Sequence, residues 1–267
     1  MVRRRLDAEL VRRDLARSRD QAALLIAEGR VKIAGSVATK PATQVDTAAA
    51  IVVAVDPDEP NYVSRGAYKL MGAIGEFGAR GFSVTGRRCL DAGASTGGFT
   101  DVLLREGAAA VVAVDVGYGQ LAWALQQDER VQVHDRTNVR SLTSADIGGL
   151  VDVVVADLSF ISLSLVLAAL ADVCATGGDL MLMVKPQFEV GKERLGTGGV
   201  VRDPTLRAAA VRKIAVRAAE LGLGVRGVTA SPLPGPAGNV EYFLWLRTDA
   251  PPLDMAAVDQ AVAKGPA

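Results

Sequence analysis

The chain has 267 residues, enough for one large domain and a small one with a real core, and its 30 Lys and Arg balance 30 Asp and Glu. Whole-chain charge therefore advertises no nucleic-acid partner, but its distribution does: residues 1–46 carry eight Arg and two Lys against four Asp and two Glu, a net +4 that leaves −4 for the rest. A single histidine, His134, excludes a Ser-His-Asp triad and argues against a zinc site, while Cys89 and Cys174 form no Cys-x-x-Cys and read as core residues of a reduced, cytoplasmic protein.

Residues 1–60 read as a small domain with its linker. Leu6, Leu10 and Leu15 space a first helix, with Arg12 and Arg13 between them. Ser18-Arg19-Asp20-Gln21 is a capping box that opens a second helix through Ala22, Leu25 and Ile26, and Gly29 closes it. Val31-Lys32-Ile33 alternates as a strand, Ala34-Gly35-Ser36 turns, and residues 50–55 form a last strand after Lys40-Pro41. Arg17, Arg19, Arg30 and Lys32 on such a scaffold would contact RNA phosphates rather than bases, giving salt-dependent affinity with little sequence choice. A solvated helix face accounts for the same charge. Asp56-Pro57-Asp58-Glu59-Pro60 is a short, stiff linker.

Residues 61–267 alternate strands and helices. After Ser64-Arg65-Gly66 a helix runs to Phe77, on which Lys69 reads as a surface lysine. Apolar runs end at Leu90, at 111–114, at 153–156 and at 180–184, with helices over 120–127 and 206–221 between or after them. Continuous apolar runs mean parallel strands covered on both faces, hence a doubly wound α/β sheet. What terminates the runs is charged: Asp91, Asp115, Asp157 and Lys185. In such sheets ligands bind beyond the carboxyl ends of the strands. His134 falls at a strand edge, with no catalytic role. The apolar span 151–175 is interrupted by Asp152, Asp157 and Asp172 and does not suit a bilayer, so a soluble protein is expected.

The run into Asp91 continues as Ala92-Gly93-Ala94-Ser95-Thr96-Gly97-Gly98-Phe99, a strand, a tight turn and a helix start. Its G-x-x-x-G-G spacing is neither a dinucleotide G-x-G-x-x-G nor a Walker A loop. An acid two residues before the first glycine suits a cationic ligand such as the amino-acid end of S-adenosylmethionine (SAM) better than a pyrophosphate. Asp115 suits ribose hydroxyls, although NAD asks for the same. Asp135-Arg136-Thr137-Asn138 would lie near an adenine edge or form an ordinary turn. Glu241 opens the last strand, and if that strand is antiparallel it reaches the same rim as Asp157 and Lys185. Residues 231–239 form a shaped, Pro-rich loop, and residues 191–199 a mobile, basic substrate loop.

These blocks resemble the TlyA family of ribosomal RNA 2′-O-methyltransferases: an S4-like start (Arg5-Leu6-Asp7, Arg17-Ser18-Arg19, Gly29-Arg30-Val31, Lys40-Pro41), then Leu90 to Phe99, Asp115 to Leu121, Ala156 to Ser162, Val184 to Glu189 and Gly238 to Phe243. The resemblance implies an S4 RNA-binding domain joined to a Rossmann-like, FtsJ-like SAM-dependent methyltransferase domain acting on cytidine in large-subunit and, in some members, small-subunit rRNA. It promotes Lys69 from the surface into a tetrad with Asp157, Lys185 and Glu241, and adds Arg5 and Lys40 to the RNA-binding set. The cofactor set is Asp91, residues 93–99, Asp115, Asn138 and Asp157. The expected chemistry is in-line attack of a ribose 2′-oxygen on a sulfonium methyl, with Lys185 as base or as steering group. Three rivals remain: a nicotinamide oxidoreductase, which shares the fold but not the glycine spacing; a non-catalytic RNA-binding factor; and a haemolysin, a label the family also carries, for which the sequence has no membrane-active segment.

Overall fold

The computed structural model describes residues 3–13, 15, 16, 19–54 and 61–266 and divides into two compact units, Met1–Val63 and Ser64–Ala267. Arg17, the Ser18 cap and the 56–60 linker lie outside the described residues.

In the first unit, β1 (Arg3–Arg5), α1 (Leu6–Arg12), α2 (Arg19–Ala27), β2 (Val31–Ile33), β3 (Ser36–Val37), β4 (Gln44–Asp46) and β5 (Ile51–Val53) follow one another. β1 pairs with β4, and β2 lies between β3 and β5, all antiparallel. Leu6, Leu10, Leu25, Ile26, Val31 and Val45 form the core. Helix α1 stops at Arg12, so Leu15 packs onto the core from beyond the helix. β1, β3 and β4 are strands that sequence reading does not find; two or three residues are too few to show alternation.

The second unit runs α3 (Gly66–Gly78), β6 (Arg88–Ala92), α4 (Gly98–Arg105), β7 (Ala110–Val114), α5 (Trp123–Gln126), β8 (Val131–His134), β9 (Val151–Ala156), α6 (Leu167–Asp172), β10 (Cys174–Val184), α7 (Pro186–Glu189), α8 (Pro204–Glu220), β11 (Gly224–Ala230), β12 (Tyr242–Arg247) and α9 (Met255–Lys264). Its seven strands lie in the order β11-β12-β10-β9-β6-β7-β8. From β10 to β8 neighbours are parallel, and β12 is antiparallel to both β10 and β11. The order reverses at β6, whose carboxyl end is therefore the switch point where such sheets hold ligands.

Alternate residues of the strands face opposite sides. Leu90, Val112, Val154, Leu182 and Leu244 pack with α6, α8 and α9 residues such as Leu167, Ile214 and Val258. On the other face Phe243 stacks with Phe99 of α4, and Trp245 meets Phe77 of α3. Asp203 caps α8 by accepting the Thr205 N–H, and Pro204 fits the first turn, where no intrahelical N–H is required. The expected helix over 120–127 shrinks to the single turn α5, because Ala122 is extended and the chain before it is committed to the loop after β7.

Candidate active site

Three charged residues stand one position past their strands, as the terminated runs suggest: Asp115 after β7, Asp157 after β9 and Lys185 after β10. Asp91 differs. It is the next-to-last residue of β6 and fully buried, because the chain does not turn until Gly93. Its Oδ2 accepts the Thr100 hydroxyl at 2.7 Å, whereas Oδ1 has no hydrogen-bond partner among the described residues. Burial pushes the Asp91 carboxyl up to about 7; the Thr100 hydroxyl works against that shift and the Asp157 charge adds to it.

Gly93 (φ 86°) and Gly97 (φ 99°) bend the turn through left-handed conformations. A Cβ on Gly93 would sit 2.8 Å from the Asp157 carbonyl oxygen, so the two loops approach as closely as backbone allows. Ser95, left-handed without being glycine, donates its N–H to Asp115 Oδ2 at 2.8 Å, and Gly117 N–H reaches Oδ1 at 2.7 Å. Ser95 and Thr96 are exposed at the turn, while Ala94 and Gly98 are buried in it. The Phe99 ring is buried against Phe243, 6.1 Å between centroids, which leaves its backbone as the part at the turn. The exposed Asn138 accepts the Arg140 N–H at 3.0 Å and caps the 3-10 turn Val139–Ser141.

Register explains how distant residues meet. Val184 pairs with Tyr242 across the antiparallel β10–β12 ladder, so Lys185 and Glu241, the residues just outside that pair, share one rim. Asp157 joins them from β9, its N–H bonded to Ala92 O. Lys69, expected on the surface from its helix alone, is instead buried. Its Nζ lies 2.6 Å from Glu241 Oε2 and 3.9 Å from Asp157 Oδ2, and Lys185 Nζ lies 2.6 Å from Asp157 Oδ1. The four form a string of alternating charge, Lys185, Asp157, Lys69, Glu241, with no net charge. Glu241 is 1% exposed and the Asp157 side chain 20%, with both lysines buried, so the string meets solvent at Asp157. Breaking such a buried pair by removing one partner typically costs about 3–5 kcal/mol, since a charge is left unpaired.

Three neighbours complete the string without having been singled out from sequence. Ser159 accepts from Lys185 Nζ at 3.0 Å, Gln187 Nε2 donates to Glu241 Oε1 at 3.2 Å, and Met183 Sδ lies 3.9 Å from Lys69 Nζ. Ser159 and Gln187 sit two residues from Asp157 and Lys185, and that adjacency was the available signal. The Pro-rich loop is anchored by Asn239, which accepts Val201 N–H and donates to Gly199 O, tying it to the 191–199 loop. That second loop contains two 3-10 turns, Lys192–Arg194 and Thr197–Gly199.

Residues 62–248 match the model of the FtsJ-like methyltransferases, and residues 4–51 that of the S4 domain. Over the whole of both chains the sequence is 60% identical to the 16S/23S rRNA (cytidine-2′-O)-methyltransferase TlyA of Mycobacterium tuberculosis. The chain belongs to the TlyA family. Another relative similar to it is hemolysin A of Brachyspira hyodysenteriae, 34% identical over 90% of this chain and 98% of that protein. A solved structure from Streptococcus thermophilus, described as a candidate hemolysin, is 37% identical with a TM-score of 0.78, covering 99% of this chain and 96% of that one. Among the described residues no helix is long and apolar enough to cross a membrane, and no cluster of His, Cys, Asp and Glu could hold a metal ion.

Within the S4 unit the basic residues are partly used at home. Arg5 and Arg19 both bind the Asp7 carboxylate, at 2.8 and 3.0 Å, and hold it well below the usual carboxylate range. Their side chains remain 46% and 60% exposed, so each guanidinium keeps an open edge. Arg30 donates to Ala54 O and pairs with Glu28, and Lys32 and Lys40 are exposed.

Proposed function

We propose that this chain transfers the methyl group of SAM to the ribose 2′-hydroxyl of cytidine in ribosomal RNA, with Lys69, Asp157, Lys185 and Glu241 as the catalytic residues. The observation that carries the reading is the buried string of alternating charges beside the Gly93–Gly97 turn.

The residues at that turn fit the cofactor. Asp91 keeps a buried oxygen without a partner among the described residues, suited to an ammonium group. Each Asp115 oxygen accepts one backbone N–H and retains a second lone pair for a ribose hydroxyl. The cofactor supplies an electrophilic methyl. The protein supplies alignment: Lys185, held by Asp157 on one side and Ser159 on the other, orients the attacking hydroxyl beside Asp157, where the string meets solvent. Lys69 fixes the other oxygen of Asp157, and Glu241, the most deeply buried of the four, pairs with Lys69 and neutralises the whole. Positioning of this kind is worth roughly 7–11 kcal/mol. The exposed Lys32 and Lys40, with Arg5, Arg17, Arg19 and Arg30, give the S4 unit its grip on phosphates, and ribosomal subunits place the reaction in the cytoplasm.

A tritiated-methyl assay on ribosomal subunits tests the proposal. Lys185→Ala is expected to abolish transfer while calorimetry finds SAM binding nearly intact; loss of both together would mean that Lys185 is structural. Mass spectrometry of the methylated RNA then identifies the nucleotide.

A further inference from the structure

Outside the string, a heavily engaged carboxylate close to it is Glu189, at the end of α7. It is buried; Oε1 accepts the Leu163 N–H at 2.7 Å, and Oε2 accepts the Ser162 hydroxyl at 2.5 Å and Lys213 Nζ at 3.0 Å. Lys213 also donates to the Glu189 carbonyl at 3.0 Å, so one cation neutralises the carboxylate and closes the end of α7. Glu189 thus spends both its oxygens on the far end of the segment that starts at Asp157.

The near end of that segment reaches the reacting lysine, through Ser159 and Lys185 Nζ. Lys185 in turn immediately precedes α7. Residues 157–163 are therefore pinned twice to one short junction, by Ser159 onto Lys185 and by Ser162 and Leu163 onto Glu189. Between the pins Phe160 stands at φ 64° with 92% of its surface exposed, its ring 5.5 Å from that of Phe188. A bulky residue in the left-handed region is strained and persists only where its surroundings over-determine it.

We propose that Glu189 is a positioning residue for methyl transfer: it anchors the 157–163 segment so that Ser159 is presented to Lys185. The inference rests on the role given to Lys185 above. Without the carboxylate, the Phe160 backbone relaxes, Ser159 withdraws and Lys185 is held from one side only.

The test uses the full-length protein with ribosomal subunits and SAM. Glu189→Gln is expected to lower kcat by roughly ten- to a hundredfold, the loss that a misplacement of about 1 Å produces, with SAM affinity changed less than about twofold. Ser162→Ala removes one pin with little risk to folding and is expected to lower kcat in the same direction. The discriminating readout is combination with Ser159→Ala: acting through the same lysine, Glu189→Gln should add little to the loss that Ser159→Ala already causes. Two results would overturn the proposal: kcat unchanged in both variants, or losses that multiply with Ser159→Ala, whether or not SAM affinity falls alongside. If Glu189→Gln does not fold, Ser162→Ala alone and with Ser159→Ala decides between the same outcomes. A folded, SAM-binding wild-type protein inactive on every subunit would instead refute the functional reading.

Discussion

Asp91 shows how far one residue's surroundings can depart from its sequence. A carboxyl raised to about 7 by burial keeps its proton in the folded state at a pH where the unfolded chain has lost it. Stability then falls as pH rises from about 4 to about 7 and the penalty is constant above that. Asp91→Asn removes the titration, so melting temperatures taken at about pH 5 and about pH 8 should differ less in the variant than in the wild type. The same substitution should weaken SAM binding at the higher pH, where the carboxylate would meet the ammonium group. An equal pH response in the two proteins would mean that Asp91 is ionised throughout. Sequence places this acid before the glycines but cannot show that the strand carries it into the interior, because burial is a property of what packs over it, here Thr100 and α4. Lys69 poses the reverse problem. Its helix offers no reason for a buried cation, and the reason lies at Glu241, 172 residues on.

At the scale of elements, the strand ends are the most legible part of the molecule. Apolar runs stopped by Asp115, Asp157 and Lys185 identify the rim because a parallel sheet collects its carboxyl ends on one side. The antiparallel placement of β12 is legible only as a condition, since nothing in Glu241 to Leu246 states its direction. The short strands escape because two or three residues are too few to show alternation, and the one-turn α5 because Ala122, bonded to Thr96 of the glycine turn, delays its start. The turn after β6 carries a prediction of its own. Gly93→Ala places a methyl against the Asp157 carbonyl and forces φ 86° on an L residue, a strain of about 1–3 kcal/mol. SAM affinity measured by calorimetry is expected to drop more than tenfold, and kcat to fall as the Asp157 loop is displaced. Binding at wild-type strength would show that the close approach of the two loops is dispensable.

For the whole molecule, charge is apportioned rather than abundant. The chain is neutral with its excess of cations in residues 1–46, so under the proposed function holding RNA is separated from reacting with it. Lys32 and Lys40 are exposed, so Lys32→Ala with Lys40→Ala is expected to weaken subunit binding at low salt and to reduce the slope of log K against log salt by about one for each phosphate no longer neutralised. SAM affinity should not move; an unchanged salt slope would remove both lysines from the RNA surface. The charge asymmetry is plain in the sequence, whereas the division of each arginine between Asp7 and solvent is not, because it depends on how α1 and α2 pack.

The position of β12 in the sheet also fixes when the molecule can work. Lys69 stands near the beginning of the second unit and its carboxylate partner near the end, joined only once the final antiparallel strand is laid against β10. A nascent chain still short of that strand already holds the glycine turn and Lys185, yet its rim is incomplete and Lys69 lacks the Glu241 counter-ion. Competence therefore waits on β12, and a chain truncated before Glu241 is expected to transfer no methyl group in the tritiated-methyl assay.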